Sequence, residues 1–414
     1  MLAKIIGLFH FFKLSRYSGF YRVKVIIQVV LGIIIDITAM PVLFIICLLV
    51  RLKQNQRQKI FIGCFPNNNL VYVADALRNI GYLATCLPLF IDCNERGIVN
   101  YDYDLQDKFG FIYTNWLGKK LITYGVFIWA VTHHEVFIMP FLNRLLDKMP
   151  LLQWLEFQLL RLARRIIILN PYGSDIYTTK LSLKNRNYTT VLHGYEEDPY
   201  YASINEYYVV RIRNYGEKYA HAVIAALDLV DYLQRVDFHL QMRCINLGNI
   251  NPVNISSNEV FTIVHAPNHR SLKGTKYLIA AVAELKQRGF QVQLKIIERK
   301  TNAYVLEQMA QADCVADQFL IGAYGRLAIE AMAYGKIVLC YLRDDLKQIY
   351  PHWEECPIIN SFVDDIAERL LYVIKLSKEQ RMLLEKQSRE YVEKYHSYKY
   401  IGEQVDKIIT SIVL

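Results

Sequence analysis

Two stretches in the second half of this 414-residue chain combine basic side chains, glycines and helix starts in an arrangement that suits a diphosphate. In the first, the apolar segment 262–264 leads into a turn that carries Arg270, Lys273 and Gly274, and apolar residues at helical spacing follow. This order predicts a strand, a basic turn and a helix. Cations and unpaired backbone N–H groups beside a helix start are the donors that phosphate oxygens bind.

The second stretch repeats this plan and adds an acid. An apolar segment is followed by Asp317 and Gln318, and then by a turn that contains Gly325 and Arg326. The helix that begins there contains Glu330. Two helix N-termini would then point into one crevice, where the helix dipole favours phosphate. With Glu330 placed to take a ribose, the two stretches together predict a site for a nucleotide-sugar donor.

These residues resemble the family-4 retaining glycosyltransferases, in particular the bacterial surface-polysaccharide type. The stretch 330–336 is similar to the family's Glu-Ala-Met-Ala-x-Gly-x-Pro motif, and 273–275 is similar to its basic Lys-Gly turn. The resemblance covers roughly residues 59–400 and is better from 261 onward. It implies that Lys273 and Arg270 neutralise the donor diphosphate, that Glu330 accepts hydrogen bonds from the ribose hydroxyls, and that the fold is GT-B.

The sequence departs from the family pattern at the position where an acid is expected to touch the donor sugar, because Gly322 stands there. Asp317 and Gln318 lie close by in sequence, and we expect them to supply the sugar hydrogen bonds instead. Two smaller departures are Asn268 in place of an arginine and Ile337 in place of a proline.

The first half of the chain offers weaker candidates. His133 follows an apolar run and could act as a general base, and Asp175, in a loop after a predicted strand, could contact the acceptor or donor. The alternative for both is a structural role, which for Asp175 is that of a turn residue. The only Asp-x-Asp, 102–104, is interpreted as a solvated loop, and the eight cysteines form no Cys-x-x-Cys pair. We therefore predict no metal and no other cofactor beyond the nucleotide-sugar substrate.

The predicted fold class is α/β: two Rossmann-like, doubly wound domains that face a cleft, preceded by a helical, membrane-associated segment. The boundaries are a basic hydrophobic segment at 1–58, an N-terminal acceptor domain at 59–250, and a nucleotide-sugar-binding domain at 259–380. Residues 381–414 are predicted to form C-terminal helices that pack back on the N-terminal domain. The polar stretch 244–258 is the predicted linker.

Charge is concentrated at the N-terminus, where residues 1–59 hold nine basic residues against one acid, Asp36. The rest of the chain is almost neutral, which excludes a nucleic-acid binder with a basic face on its folded domains.

Val25–Val50 is a 26-residue apolar stretch, long enough to cross a membrane. Asp36, Pro41 and basic residues on both flanks favour a re-entrant or interfacial helix, while a true span and a buried helix stay open. Removal of residues 1–59 is expected to free the protein from membranes without destroying donor binding.

The sequence thus predicts a glycosyltransferase at the cytoplasmic face of the cell membrane, with a lipid-linked or growing glycan as acceptor and retention of configuration by resemblance. One alternative is a catalytically inactive glycosyltransferase-like assembly partner, which Gly322 favours and which Lys273 and Glu330 oppose. A second is a GT-B nucleotide-sugar epimerase, an enzyme that has no need of the membrane segment.

Overall fold

Two parallel β-sheets, each covered by helices on both faces, form the body of the protein. The structure is a computed structural model and describes residues 19–52, 58–64, 68–89, 101–178, 205–252, 260–350 and 352–413. The first sheet has the strand order β2-β1-β3-β4-β5-β6 and the second the order β11-β10-β9-β7-β8. Every strand pair is parallel, as expected for strands joined through helical crossovers.

The N-terminal domain is preceded by one long helix, α1. Its elements in chain order are α1 (Gly19–Arg51), β1 (Lys59–Cys64), α2 (Asn68–Asn79), β2 (Leu83–Pro88), α3 (Leu105–Thr114), α4 (Trp116–His133), β3 (Val136–Met139), α5 (Glu156–Leu162), β4 (Ile166–Leu169), α6 (Glu206–Tyr219), β5 (Ala222–Ala225) and β6 (Phe238–His239). Short 3₁₀ turns at Leu152–Trp154 and Leu227–Tyr232 complete it.

The C-terminal domain follows the same plan. Its elements are β7 (Phe261–His265), α7 (Arg270–Lys273), α8 (Thr275–Gln287), β8 (Val292–Ile296), α9 (Asn302–Ala310), β9 (Cys314–Ala316), α10 (Arg326–Ala333), β10 (Ile337–Cys340), β11 (Ile359–Asn360), α11 (Ile366–Lys375), α12 (Lys378–Tyr395) and α13 (Tyr398–Val413). Its central strands β7, β9 and β10 are buried along their whole length, so their apolar runs are continuous and show no alternation.

Two predicted helices are shorter than their apolar patterns indicate. The apolar residues over 151–165 have helical spacing and predict one helix, but the segment begins with a 3₁₀ turn and is α-helical only over α5. Arg164, just beyond its end, has a positive φ of 57°. The pattern over 229–235 also predicts a helix, but the structure has a 3₁₀ turn there that starts at Leu227.

The last two helices belong to different domains. Helix α12 packs against α10 of the C-terminal domain, whereas α13 packs against α2 of the N-terminal domain. Gly402 of α13 lies so close to α2 that a Cβ atom there would stand 2.6 Å from the carbonyl oxygen of Ala76. The segment 381–414 is thus not one unit that returns to the N-terminal domain, because only α13 returns.

Helix α1 is docked on the N-terminal domain along one face. Its buried residues recur at helical spacing (Val29, Asp36, Leu43, Cys47, Val50) and meet α4 and α5. The Asp36 carboxylate is fully buried and accepts hydrogen bonds from the backbone N–H groups of Leu151 and Leu152 at 2.7 and 3.3 Å, and from the Tyr124 hydroxyl. This docking bears on the expected effect of removing residues 1–59, since removal would uncover part of the core of the N-terminal domain.

The other face of α1 is apolar and open to the surroundings. Ile27, Ile34, Ile37, Ile45 and Leu49 are each more than 50% exposed. Among the described residues, the segment Val23–Arg51 is the one helix long and apolar enough to cross a membrane. An exposed apolar stripe of this length on a helix otherwise fixed to a folded domain is unusual for a water-facing surface.

Candidate functional site

A cleft of about 370 Å³ lies between the two domains, at the carboxyl ends of both sheets. In each sheet the second strand lies on one side of the first strand and the third strand lies on the other, so the strand order switches between β1 and β3 and between β7 and β9. Doubly wound folds bind ligands at such switch points. The loops that follow these strands form the walls. The N-terminal wall includes Asn69, Pro140, Asn170, Tyr172, Tyr177 and Asp228, and the C-terminal wall includes Asn268, His269, Leu272, Lys273, Gly325 and Arg326.

Lys273, at the end of α7, lies on the C-terminal wall and is held by a buried acid. Its Nζ lies 2.7 Å from Oδ1 of Asp317, whose carboxylate is fully buried after β9. The other carboxylate oxygen accepts the backbone N–H of Gly325 at 2.5 Å, at the start of α10. Asp317 therefore positions the ammonium group and the helix N-terminus side by side on the same wall, where both can face an anion.

The two glycines of these turns allow close approach. Gly274 adopts a left-handed conformation (φ 73°) between α7 and α8, and a Cβ atom there would lie 3.2 Å from Cβ of Phe319. At Gly325 a Cβ atom would lie 3.2 Å from the Asp317 carboxylate and 3.5 Å from Nζ of Lys273. Gly274 thus shapes the turn, while Gly325 lines the cleft itself.

Arg326 and Glu330 are paired one helical turn apart on α10. Nε of Arg326 donates to Oε1 of Glu330 at 2.8 Å, and Nδ2 of Asn302 donates to the same oxygen at 3.4 Å. The Arg326 guanidinium also lies over the ring of Tyr72, 4.2 Å from its centroid, and so contacts the N-terminal domain. Arg326 lines the cleft, and Glu330 lies directly behind it with its side chain 5% exposed.

Two residues predicted to bind the nucleotide-sugar donor make other contacts in the structure. Arg270 pairs with Glu298 at 2.5 Å, and its side chain is 53% exposed, outside the residues that line the cleft. Gln318 is fully buried: its Oε1 accepts the N–H groups of Leu320 and Ile321, and its Nε2 donates to the carbonyl of Ala323. The amide of Gln318 is consumed within the turn, so the predicted sugar contact from this residue is wrong.

The two residues proposed for catalysis are also structural. His133 is exposed at the end of α4, ahead of β3, which places it at the sheet edge opposite the cleft, and its ring stacks on Trp129. Asp175 does lie beside the cleft, but it is completely buried and accepts the backbone N–H groups of Phe141, Tyr172 and Gly173. Burial raises the pKa of Asp175 to about 7, against the lowering effect of these hydrogen bonds. Its role is to hold the loop that carries Tyr172.

The position of the missing family acid is closed to any side chain. Gly322 has φ 82°, and a Cβ atom there would lie 2.3 Å from Cγ of Arg343. The Arg343 side chain is 1% exposed and forms ion pairs with Asp345 and, across the domain boundary, with Asp231. An arginine that joins the domains therefore fills the space next to Gly322. The carbonyl oxygen of Tyr324 also accepts hydrogen bonds across the domain boundary, from the side chains of Gln241 at 3.3 Å and Arg243 at 3.0 Å.

Asp228 is a site residue that the sequence pattern missed. It lies on the N-terminal wall in the 3₁₀ turn after β5, and Oδ2 accepts the hydroxyl of Tyr177 at 2.7 Å. Burial raises the pKa of Asp228, while the bond from Tyr177 lowers it. The preceding Leu227 has φ 56°, a strained conformation for a leucine that turns Asp228 toward the cleft wall. This positive φ is a tertiary feature and leaves no local signal.

Three solved structures with a similar fold are distant in sequence. No protein-family model matches the chain, and no curated protein matches it. The chain is similar to the Anabaena protein HepE in complex with UDP and glucose, with 15% identity, TM-score 0.51, and coverage of 86% of this chain and 100% of that one. Sucrose-phosphate synthase from Thermosynechococcus elongatus (14%, TM-score 0.56, coverage 86% and 99%) and a glycosyltransferase from Rickettsia africae (14%, 0.53, 87% and 99%) are similar too. These likenesses confirm the predicted α/β class, and the fold is GT-B.

Proposed function

We propose that this protein is a glycosyltransferase that binds a nucleotide-diphosphate sugar in the interdomain cleft and transfers the sugar to a lipid-linked or growing glycan acceptor. The observation that carries the proposal is that the Asp317 carboxylate holds the Lys273 ammonium group and the N-terminus of α10 side by side on one wall of the cleft. A cation beside a helix start is an anion site. The opposite wall presents a carboxylate and hydroxyls, which suit the hydroxyl groups of an acceptor.

The donor is assigned to the C-terminal wall. Lys273 and Arg326 each carry one carboxylate partner and line the cleft, so both have N–H donors beyond those partners for diphosphate oxygens. Glu330, held through Oε1 by Arg326 and Asn302, would accept from the ribose hydroxyls through Oε2. The similar fold of HepE, whose structure contains UDP, supports a nucleotide diphosphate as the common part of the ligand.

The acceptor is assigned to the N-terminal wall. Asp228, oriented by Tyr177, would accept a hydrogen bond from the attacking hydroxyl, and Tyr172 would contact the acceptor sugar or its linker. As the bond to the donor sugar breaks, negative charge grows on the leaving diphosphate, where Lys273, Arg326 and the α10 N-terminus stabilise it. The reaction as proposed needs no metal ion, because these groups supply the positive charge. We infer retention of configuration from the sequence resemblance.

We further propose that the protein works at the cytoplasmic face of a membrane, with α1 lying in the membrane surface. If α1 crossed the bilayer, Asp36 and the backbone of residues 151–152 that binds it would stand near the centre of the hydrocarbon layer, at a high energetic cost. A helix that lies flat buries its exposed isoleucines and leaves this polar contact in the protein.

The two alternative functions have less support. An inactive assembly partner would not require the paired Lys273 and Asp317 or the acid on the facing wall. Gly322 no longer favours an inactive protein, because Arg343 occupies the space beside it. An epimerase would not require an exposed apolar helix. Both remain outcomes of the test below.

The proposal is tested by sugar transfer. Purified protein is incubated with UDP-glucose, UDP-N-acetylglucosamine or GDP-mannose, each radiolabelled in the sugar, together with a lipid extract, and label in the lipid fraction is counted. We expect transfer from one donor, reduced by Asp228→Asn and unchanged by His133→Ala. Release of free epimerised nucleotide sugar, or no turnover of any donor by protein that binds nucleotide, would contradict the proposal.

A further inference from the structure

A second cavity, of about 530 Å³, lies in the N-terminal domain away from the cleft. Helices α3 and α4 form most of its wall, with Leu87 from the carboxyl end of β2. Its lining is Leu87, Tyr103, Leu105, Lys108, Phe109, Ile112, Leu121, Ile122, Gly125, Val126 and Trp129. Such a space has the size of a small-molecule site, and its apolar lining with one lysine suits a hydrocarbon chain with an anionic end.

The surface around this cavity is apolar and carries lysines beside aromatic rings. Phe111, Ile112 and Leu121 are 84%, 54% and 57% exposed. Lys108 lies over the ring of Tyr103 at 5.3 Å, and Lys119 over that of Tyr113 at 5.5 Å. Exposed apolar side chains ringed by lysine and aromatic residues are the composition that enters the headgroup region of an anionic membrane.

Two elements of the cavity wall also contact other parts of the domain. Helix α4, which supplies five of its lining residues, packs against α1, whose outer face is exposed and apolar. Leu87 is the last but one residue of β2, which neighbours β1, and β3 on the other side of β1 leads to Pro140 on the cleft wall. Strands lie about 4.8 Å apart, so the cavity wall and the cleft wall are separated by roughly 10 Å along one sheet edge. A diphosphate linker spans such a distance.

We propose that this cavity binds the hydrocarbon chain of an anionic single-chain lipid, with Lys108 at its phosphate, and that the occupant is the lipid part of the acceptor. The assignment of the lipid as acceptor rests on the proposed function. The binding of the chain itself rests on the cavity, the charge of Lys108 and the packing of α4 against the membrane-directed helix α1.

Gly125 offers a clean way to fill the cavity. It lies between Leu121 and Trp129 on the lining face of α4, and a Cβ atom there would meet nothing within 4 Å. Its φ is not in the left-handed range, and replacing a helical glycine improves helix propensity. Gly125→Leu should therefore occupy the cavity without unfolding the domain, and Gly125→Ala is the matched control that changes propensity with little volume.

The probes are octyl phosphate and decyl phosphate below their micellar concentrations, and inorganic phosphate tests the anion alone. Calorimetry on the full-length protein measures the affinity of each probe. Each methylene buried should raise affinity about fourfold, so decyl phosphate should bind about 15-fold tighter than octyl phosphate. Gly125→Leu should weaken decyl phosphate binding by at least about tenfold and Gly125→Ala by about fourfold or less.

UDP binding is measured on the same samples and should not change in either variant. The cavity assignment would be overturned by any of three results. The two alkyl phosphates could bind with equal affinity, Gly125→Leu could bind decyl phosphate as tightly as the wild type, or inorganic phosphate could bind as tightly as decyl phosphate. If the wild type does not bind UDP, the proposed function is overturned, whereas the alkyl phosphate result still stands. The two failures are therefore distinguishable.

Discussion

Replacing Glu330 probes the donor side of the cleft most selectively. The Glu330 side chain is 5% exposed, and its two bonds, from Arg326 and Asn302, both use Oε1. This leaves Oε2 as the oxygen that we expect to accept from the ribose. Glu330→Ala removes that acceptor and releases Arg326, whose side chain is 26% exposed and can be solvated, so the fold should survive.

Hydrogen bonds to a charged acceptor contribute about 1.5–3 kcal/mol, and a loss of this size corresponds to a roughly 10- to 150-fold weaker Kd for UDP. Glu330→Gln keeps a neutral acceptor and should lose less, about 1 kcal/mol. The released Arg326 can turn to the diphosphate, which would reduce the measured loss toward the lower end of the range.

The assay is calorimetric binding of UDP and of its 2′-deoxy and 3′-deoxy forms to wild type and both variants, arranged as double-mutant cycles. If Glu330 binds the ribose, at least one deoxy form should bind wild type weakly and should lose little more on Glu330→Ala. The reasoning is refuted if Glu330→Ala weakens UDP and both deoxy forms by the same factor, because the effect would then not pass through the ribose hydroxyls.

Three further outcomes follow from the contacts. Lys273→Ala should weaken UDP binding and also lower the Tm, since it leaves the buried Asp317 carboxylate unpaired; adding Asp317→Asn should restore part of the Tm but not the affinity, and a full recovery of affinity would exclude a phosphate contact for Lys273. Gly322→Glu should destabilise by at least about 1–2 kcal/mol through its backbone conformation, with more from the clash with Arg343, and should not raise turnover; denaturant titration and a transfer assay check both. Glutamine at three exposed positions of α1 (Ile34, Ile37, Ile45) should shift the protein from sedimented anionic vesicles to the supernatant at unchanged Tm, whereas the same change with retained vesicle binding would contradict a membrane role for this face.

The sequence predicts the βα units and their turns well because the signals for them are local. Lys273, Gly325 and Arg326 lie beside strand ends and helix starts that apolar runs and glycines indicate, and the structure places all three on the cleft wall. The partners of these residues could not be predicted in the same way. Asp317 is 44 residues from Lys273, and no periodicity links the two.

The sequence misplaces other residues for the same reason, because their positions depend on parts of the chain that are distant in sequence. His133 follows an apolar run, as site residues in this fold often do, but the run is a helix, and the histidine therefore stands before β3 and not after it. From the sequence, Asp36 favours a re-entrant or interfacial helix, but the pattern does not show that its carboxylate binds backbone groups 115 and 116 residues away. Asp228 depends on the positive φ of Leu227, which only the packed structure imposes.

The central claim, a nucleotide-diphosphate site between the domains, is tested most directly by thermal unfolding of the full-length protein with UDP, GDP or ADP. A ligand at one hundred times its Kd stabilises by about 2.7 kcal/mol, which for a chain of this length corresponds to a rise in Tm of about 3 °C. We predict that one of the three diphosphates produces such a rise and that Lys273→Ala abolishes it. No change in Tm with any of them at millimolar concentration, for protein that unfolds cooperatively, would contradict the account.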